Sequence, residues 1–215
     1  LTTGSTPTRP DNIPFDDVRI FDSDSIARLT FLPRKGVVIA GAGIIAIEYA
    51  KIFAKLQCPV TMVIRGDAKS SLSRIGLDPS IADGLLDDLE ANGVTVLTNT
   101  STKSFDIDDD EKTLTLTIET KEAPEPPPPI VCDVFLAAMG RRPCSGNVGL
   151  AEVNGVIDAK SGVIKVDDSF KVDGAPEGVF AAGDVIGPPA LASTGVEQAK
   201  SAISCMFGED TSDKV

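Results

Sequence analysis

Val37-Val38-Ile39-Ala40-Gly41-Ala42-Gly43-Ile44-Ile45-Ala46 carries a short apolar, β-branched run straight into a glycine turn, then into a helical pattern that continues to about Leu56. A second β-rich run, Val60-Thr61-Met62-Val63-Ile64, follows at once. Strand, turn, helix and strand at this spacing form a βαβ unit, whose right-handed crossover sets the two strands parallel. A ligand of such a unit sits beyond the carboxyl ends of the strands. Gly41 permits the tight turn, Gly43 lets main chain approach a pyrophosphate, and the small Ala46 lets helix and strand pack closely. Exposed amides at the helix start then hold the anion. The stretch reads as a dinucleotide-binding fingerprint, with Ile44 and Ile45 at the helix mouth. Within the helix, Ile45, Ile52 and Leu56 are expected to share a face, and Ala50 and Ala54 to allow close packing.

The α/β alternation continues outward from there. A helix is expected from about Pro79 to Ala91, ended by Asn92-Gly93 and followed by the strand Val94-Thr95-Val96-Leu97. Lys103 to Ile107 and Leu114 to Glu119 read as a hairpin around Asp108-Asp109-Asp110-Glu111, an acidic tip that like-charge repulsion keeps in solvent. Ala123-Pro124-Glu125-Pro126-Pro127-Pro128-Pro129 has fixed φ angles and lacks amides. It reads as a stiff surface spacer, or else as a docking site for a partner that recognises polyproline. Val131 to Met139 reads as one strand, bounded by Gly140-Arg141-Arg142-Pro143. From about Gly149 the rhythm changes to short strands, Val163 to Val166 and Val179 to Ala182, with a last helix from about Thr194 to Phe207. Residues 1–35 are turn-rich and precede the first strand. Both ends are therefore expected to belong to one body, interrupted by the insert between them.

Composition bounds what this chain can bind. With 215 residues, 42% of them hydrophobic, it can bury a core of its own. A formal charge of −12 argues against nucleic acid and against an anionic membrane surface, and it means that a dinucleotide needs a local positive site. The apolar runs are about one strand long, far short of the roughly 20 residues that span a bilayer. The chain begins with Leu1 rather than Met, so an upstream segment is expected, and with no secretory pattern the setting reads as cytoplasmic, with organelle targeting left open. Cys58, Cys132, Cys144 and Cys205 are too scattered for a metal knuckle or a CxxC pair and are expected to be reduced thiols. Histidine is absent, which excludes a Ser-His triad and His-ligated metal within the chain, and no metal site is expected. Proton transfer would fall to carboxylates, Lys, Cys, Tyr or a partner segment.

The local positive site has a candidate. Where a NAD-selective unit places a carboxylate at the end of its second strand, to accept from the ribose 2′-hydroxyl, this chain has Ile64-Arg65. A carboxylate there would repel a 2′-phosphate, whereas the Arg65 guanidinium can take one through paired charge-assisted hydrogen bonds. Lys69 and Arg74 follow closely and could add charge, and the bland alternative is that Arg65 is a surface loop arginine. Asp184, in Ala181-Ala182-Gly183-Asp184-Val185, follows an apolar strand where glycine lets a ligand approach and the carboxylate can accept from hydroxyls.

The order GAGIIAIEYA, MGRRP, VFAAGDV, opened by LTTGSTPTRP, resembles the flavoprotein pyridine nucleotide-disulfide oxidoreductases over essentially the whole chain. That resemblance implies an α/β fold: a Rossmann-like NAD(P)-binding domain at 36–148 inserted in part of an FAD-binding domain of the glutathione-reductase type, with the crossover at 1–35 and the return portion at 149–215. It implies FAD, NADP and NAD as cofactors, and a homodimer formed through a C-terminal domain outside this chain. By position, Gly41, Gly43 and Ala46 would line the NAD(P) pyrophosphate with Ile44 and Ile45 beside them, Arg65 the 2′-phosphate, and Gly140 the nicotinamide side. Glu48 matches the acid that faces nicotinamide and flavin, although a solvated helix carboxylate would look the same. Gly183 and Asp184 would meet the flavin's ribityl and phosphate region, and Leu191-Ala192 its ring. Within the superfamily, the run from Gly183 to Ser193 is similar to soluble, Si-specific pyridine nucleotide transhydrogenases, as is Tyr49-Ala50 after Glu48. Dihydrolipoamide dehydrogenases usually carry an acid near position 64, and glutathione reductases often carry an aromatic gate where Ile44 stands. The expected activity is hydride transfer between NADPH and NAD through FAD. A disulfide reductase with its cysteine pair upstream, or a non-catalytic nucleotide-binding module, stands as the alternative.

Overall fold

A computed structural model describes residues 1–208 apart from 75, 111, 122–124 and 151–155. In chain order its elements are β1 (Ser5–Pro7), β2 (Ile20–Asp22), β3 (Val37–Ala40), α1 (Ile44–Lys55), β4 (Val60–Val63), α2 (Ala68–Ser73) and α3 (Pro79–Ala91). Then come β5 (Val94–Leu97), β6 (Thr100–Asp108), β7 (Thr113–Thr120), β8 (Ile130–Cys132), β9 (Val134–Ala137), β10 (Arg141–Pro143) and α4 (Ala192–Phe207). They divide into two compact units, one comprising Pro7–Gly140 and the other Leu1–Thr6 with Arg141–Val215.

The first unit is built on a five-stranded sheet in the order β2-β9-β3-β4-β5, every pairing parallel. The inner strands β3 and β9 are apolar and buried at every position because both sides are covered, as parallel sheets require. Val37, Ile39, Val60, Met62, Val94, Val134 and Leu136 share one core with Ala46, Ala50 and Phe53 of α1, Leu72 of α2, and Ala82 and Leu89 of α3. The alternate residues Val38, Ala40, Val63, Phe135 and Ala137 face the antiparallel sheet β6-β7-β8, packing with Leu114, Leu116 and Cys132. The Phe105 ring meets Phe135 edge-on, with 4.9 Å between centroids.

Several expectations are corrected here. Val131 to Met139 is two strands, because Ile130–Cys132 pairs antiparallel with β7 while Val134–Ala137 pairs parallel with β2 and β3. The packed face of α1 is Ala46, Ile47, Ala50 and Phe53, and Ile52 and Leu56 are half exposed. Seating the fully buried Ala46 against the sheet fixes the helix phase and turns Ile52 outward. Ile20–Asp22, inside the turn-rich opening, is a buried edge strand on β9, and the stretch from Pro7 to Gly140 forms the compact unit that contains the sheet. The short helix α2 had no periodicity long enough to read. Asp108, Asp109 and Asp110 are exposed, while Glu111 lies outside the described residues. Glu125 to Pro129 form no regular element and lie mostly exposed; Ala123 and Pro124 lie outside the described residues.

The second unit has its own core of Leu150, Val156, Ile164, Val172, Ala181 and Val185. Val163 to Val166 and Val179 to Ala182 are not continuous strands but contribute to isolated bridges, Ile157 with Ile164, Val166 with Val172 and Lys171 with Phe180. β1 pairs with β10, and the final helix begins at Ala192, two residues before the expected start.

Candidate cofactor sites

Three strands of the parallel sheet end side by side, with Ala40 opposite Val63 on one flank and Ala137 on the other. Directly past β3, the Gly41 amide donates to the Val63 carbonyl at 3.1 Å, and φ at Gly41 is 141°. A Cβ there would stand 2.2 Å from the Ala138 carbonyl oxygen. Glycine is therefore required by the chain leaving β9, in addition to the turn. Gly43 is the N-cap of α1, no side chain caps that end, and a Cβ on it would meet nothing within 4 Å. Open main chain and uncapped first-turn amides are the donor set that a pyrophosphate needs. Ala46 is fully buried, Ile45 packs against the helix-side core, Ile44 is 57% exposed, and Glu48 is exposed one turn along α1.

Arg65 lies two residues past Val63, the partner of Gly41, with its side chain exposed. The main chain on both sides of it is pinned: Ile64 donates to the Leu97 carbonyl at 2.8 Å, Thr100 donates to the Ile64 carbonyl at 3.0 Å, and Asn99 donates to the Gly66 carbonyl at 3.0 Å. The two helpers separate. Lys69 is paired with Asp83 at 2.7 Å. The Arg74 guanidinium, held by the Ser70 carbonyl at 3.2 Å and Ser71 Oγ at 3.3 Å, lies against Gly66, 3.6 Å from where a Cβ would stand. Gly140, exposed with φ of 97°, follows the end of β9. Gly41, Arg65 and Gly140 thus follow the carboxyl ends of three adjacent strands, the edge where open α/β sheets take ligands.

In the second unit, Gly183, Asp184 and Ala192 line one open cleft of about 500 Å³ together with Ser5 and Gly195. Gly183 has φ of 79°, its amide donates to Gln198 Oε1 at 2.8 Å, and a Cβ on Gly195 would lie 3.4 Å from its Cα. Leu191, 60% exposed, is the N-cap of α4 and offers no side-chain cap. Uncapped helix amides beside a carboxylate suit a ligand carrying both anionic and hydroxyl groups. Two residues not expected from sequence bear on the cleft: Ser5 lines it beside Asp184, and Arg141, outside the lining, bonds to Ser5. Ser5 Oγ donates to Asp184 Oδ2 at 2.6 Å, and Arg141 donates through Nε to Ser5 Oγ at 2.8 Å and through Nη2 to the Ser5 carbonyl at 2.9 Å. The signal for them lay in LTTGS and MGRRP, but only the pairing of β1 with β10 brings those stretches together. Among the described residues no group of three or more Cys, Asp or Glu could hold a metal, and the four cysteines are free.

Residues 1–203 match the profile of the pyridine nucleotide-disulphide oxidoreductases. The chain belongs to that family. Relatives in it include proteins named soluble pyridine nucleotide transhydrogenase from Hahella chejuensis, 37% identical over 98% of this chain and 42% of theirs, and from Marinomonas sp., 35% identical over 97% and 41%. The chain spans about two fifths of the length of these relatives. Among solved structures, LpdA from Mycobacterium tuberculosis superposes on 100% of the chain and 43% of its own with a TM-score of 0.77 at 22% identity. The flavoprotein disulfide reductase RclA from Escherichia coli covers 97% and 44%, with a TM-score of 0.77 at 23% identity. These likenesses bear on fold, and they agree with a family member built on a Rossmann-like parallel sheet. Among the described residues no helix is long and apolar enough to cross a membrane.

Proposed function

We propose that the protein carrying this chain is an FAD-dependent NAD(P) oxidoreductase, a soluble pyridine nucleotide transhydrogenase that passes hydride between NADPH and NAD through FAD. The observation that carries this reading is the alignment of Gly41, Arg65 and Gly140 past the ends of three neighbouring parallel strands, beside an uncapped helix. The relatives' printed names support the choice within the family. When bound, flavin and nicotinamide supply the hydride chemistry, and the chain supplies position and charge. Gly41, Gly43 and Ala46, with Ile44 and Ile45, would receive the dinucleotide pyrophosphate. Arg65, with Arg74 against the neighbouring Gly66, would answer the 2′-phosphate that distinguishes NADP from NAD. Gly140 would border the nicotinamide, and Glu48 is assigned to the face shared with flavin. Gly183, Asp184, Leu191 and Ala192 would hold FAD, the carboxylate accepting from its hydroxyls. In the same reading the whole protein is a cytoplasmic homodimer.

Arg65→Ala tests the cofactor assignment. NADPH binding should weaken by about 1–3 kcal/mol, the cost of losing a charged hydrogen bond, while NADH binding changes little. Equal losses for the two nucleotides, measured by titration, would remove Arg65 from the specificity role.

A further inference from the structure

We propose that Arg141 and Ser5 are positioning residues that aim Asp184 at a hydroxyl of the flavin cofactor, an inference that rests on the reading of the Asp184 cleft as an FAD site. A serine hydroxyl has one proton to give and two lone pairs to fill. Arg141 settles how Ser5 uses them. Its Nε occupies a lone pair of Ser5 Oγ at 2.8 Å, and its Nη2 grips the carbonyl of the same residue at 2.9 Å, so the fork fixes both the side chain and the main chain of Ser5. The single proton is then delivered to Asp184 Oδ2 at 2.6 Å. With Oδ2 engaged, the carboxylate cannot swing freely. Oδ1, which takes no protein hydrogen bond among the described residues, is the acceptor left for a ligand in the cleft that Asp184 lines.

The chain of donors joins positions 136 and 179 apart in sequence, so it exists only once β1 has paired with β10 and the turn at Gly183 has formed. A simple staple between β1 and β10 would be satisfied by the Arg141 bond to the Ser5 carbonyl alone. The second prong through the hydroxyl adds nothing to strand pairing and reaches only the carboxylate. Preorganising one acceptor in this way lowers what a ligand must lose in ordering the site when it binds.

The test is FAD affinity of the apoprotein, at its natural length, read by flavin fluorescence across Ser5→Ala, Ser5→Thr, Arg141→Lys, Asp184→Ala and the Ser5→Ala/Asp184→Ala double variant. Ser5→Ala is expected to weaken FAD about tenfold, the scale of one hydrogen bond to a charged group, and Ser5→Thr, which keeps the hydroxyl, to restore binding to within about threefold. Arg141→Lys keeps the charge but loses the fork, and is expected to weaken FAD by about fivefold to tenfold. The double variant should bind no worse than Asp184→Ala, because Ser5 acts through that carboxylate. Wild-type affinity in Ser5→Ala, or losses that multiply in the double variant, overturns the positioning role. Should Ser5→Ala fail to fold, Arg141→Lys decides, and unchanged affinity there overturns it. Wild-type affinity in Asp184→Ala would sink the flavin reading itself, a result separable from failure of the relay alone.

Discussion

Gly41 and Gly43 occupy the same turn for different reasons. At Gly41 a side chain would have to adopt φ of 141° and would overlap the Ala138 carbonyl, so Gly41→Ala should cost on the order of 3 kcal/mol or more in unfolding free energy, measured by urea denaturation. At Gly43 φ is −77° and nothing lies within 4 Å of an added Cβ, so Gly43→Ala should leave the urea midpoint nearly unchanged and lower nucleotide affinity about tenfold by crowding the pyrophosphate. If Gly43→Ala destabilised the fold as much as Gly41→Ala, the open face assigned to the ligand would be a structural contact. The glycine pattern was legible in sequence because backbone freedom leaves a local signature. Which glycine serves the fold was not, since the atom that decides it comes from Ala138, nearly a hundred positions away. Arg65 was legible for the same local reason, as the residue following a strand end. Ser5 and Arg141 have meaning only through long-range pairing.

At the level of elements, punctuation was easier to read than pairing. α3 begins and ends where expected because Asp78-Pro79 starts it, with the Asp78 side chain accepting from the Ser80 amide, and Asn92-Gly93 stops it. The run around Asp133 misled because hydrophobic periodicity says nothing about partners. The opening segment was missed because β2 is three residues long and is held by charge as well as pairing. Asp22, 4% exposed, accepts at Oδ1 from the Asp24 and Ser25 amides at 2.8 and 2.7 Å and at Oδ2 from Arg9 Nε at 2.5 Å. Arg9 also pairs with Asp17 at 2.7 Å and lies 4.7 Å above the Phe15 ring. Burial pushes the Asp22 carboxyl up, but the Ser25 amide, the Arg9 guanidinium and the Asp24 amide outweigh it and hold the group below the ordinary aspartate value. The native state therefore binds this proton less readily than the unfolded chain does. The Asp22 contribution is complete above the usual aspartate range and is lost as pH falls through the lowered native value. Asp22→Asn should flatten that acid limb in urea midpoints measured across pH, and an unchanged limb would show that other carboxylates set it.

Across the whole chain, the thiols report on the two compact units separately. Cys58 and Cys132 are buried in the unit built on the parallel sheet, while Cys144 is partly exposed and Cys205 exposed in the other. Burial pushes the Cys58 thiol up and drives Cys132 to about 12, and only thiolate reacts. With a maleimide probe near pH 7.5, Cys205 should be labelled first and Cys132 last, at a rate set by opening of the sheet unit. Rapid labelling of Cys132 in native buffer would contradict the packing described for Phe135 and Leu114. The α/β class was readable in advance because strand and helix alternate over a long stretch of the chain, whereas the short pairing of β1 with β10 has no local signature. One detail of the sheet's rim reaches further. Since the backbone bracketing position 65 is fastened to Leu97, Asn99 and Thr100, replacing that one side chain leaves the loop's course intact. On the proposed assignment of Arg65 to the 2′-phosphate, coenzyme preference can then be re-engineered through a single codon without refolding anything around it.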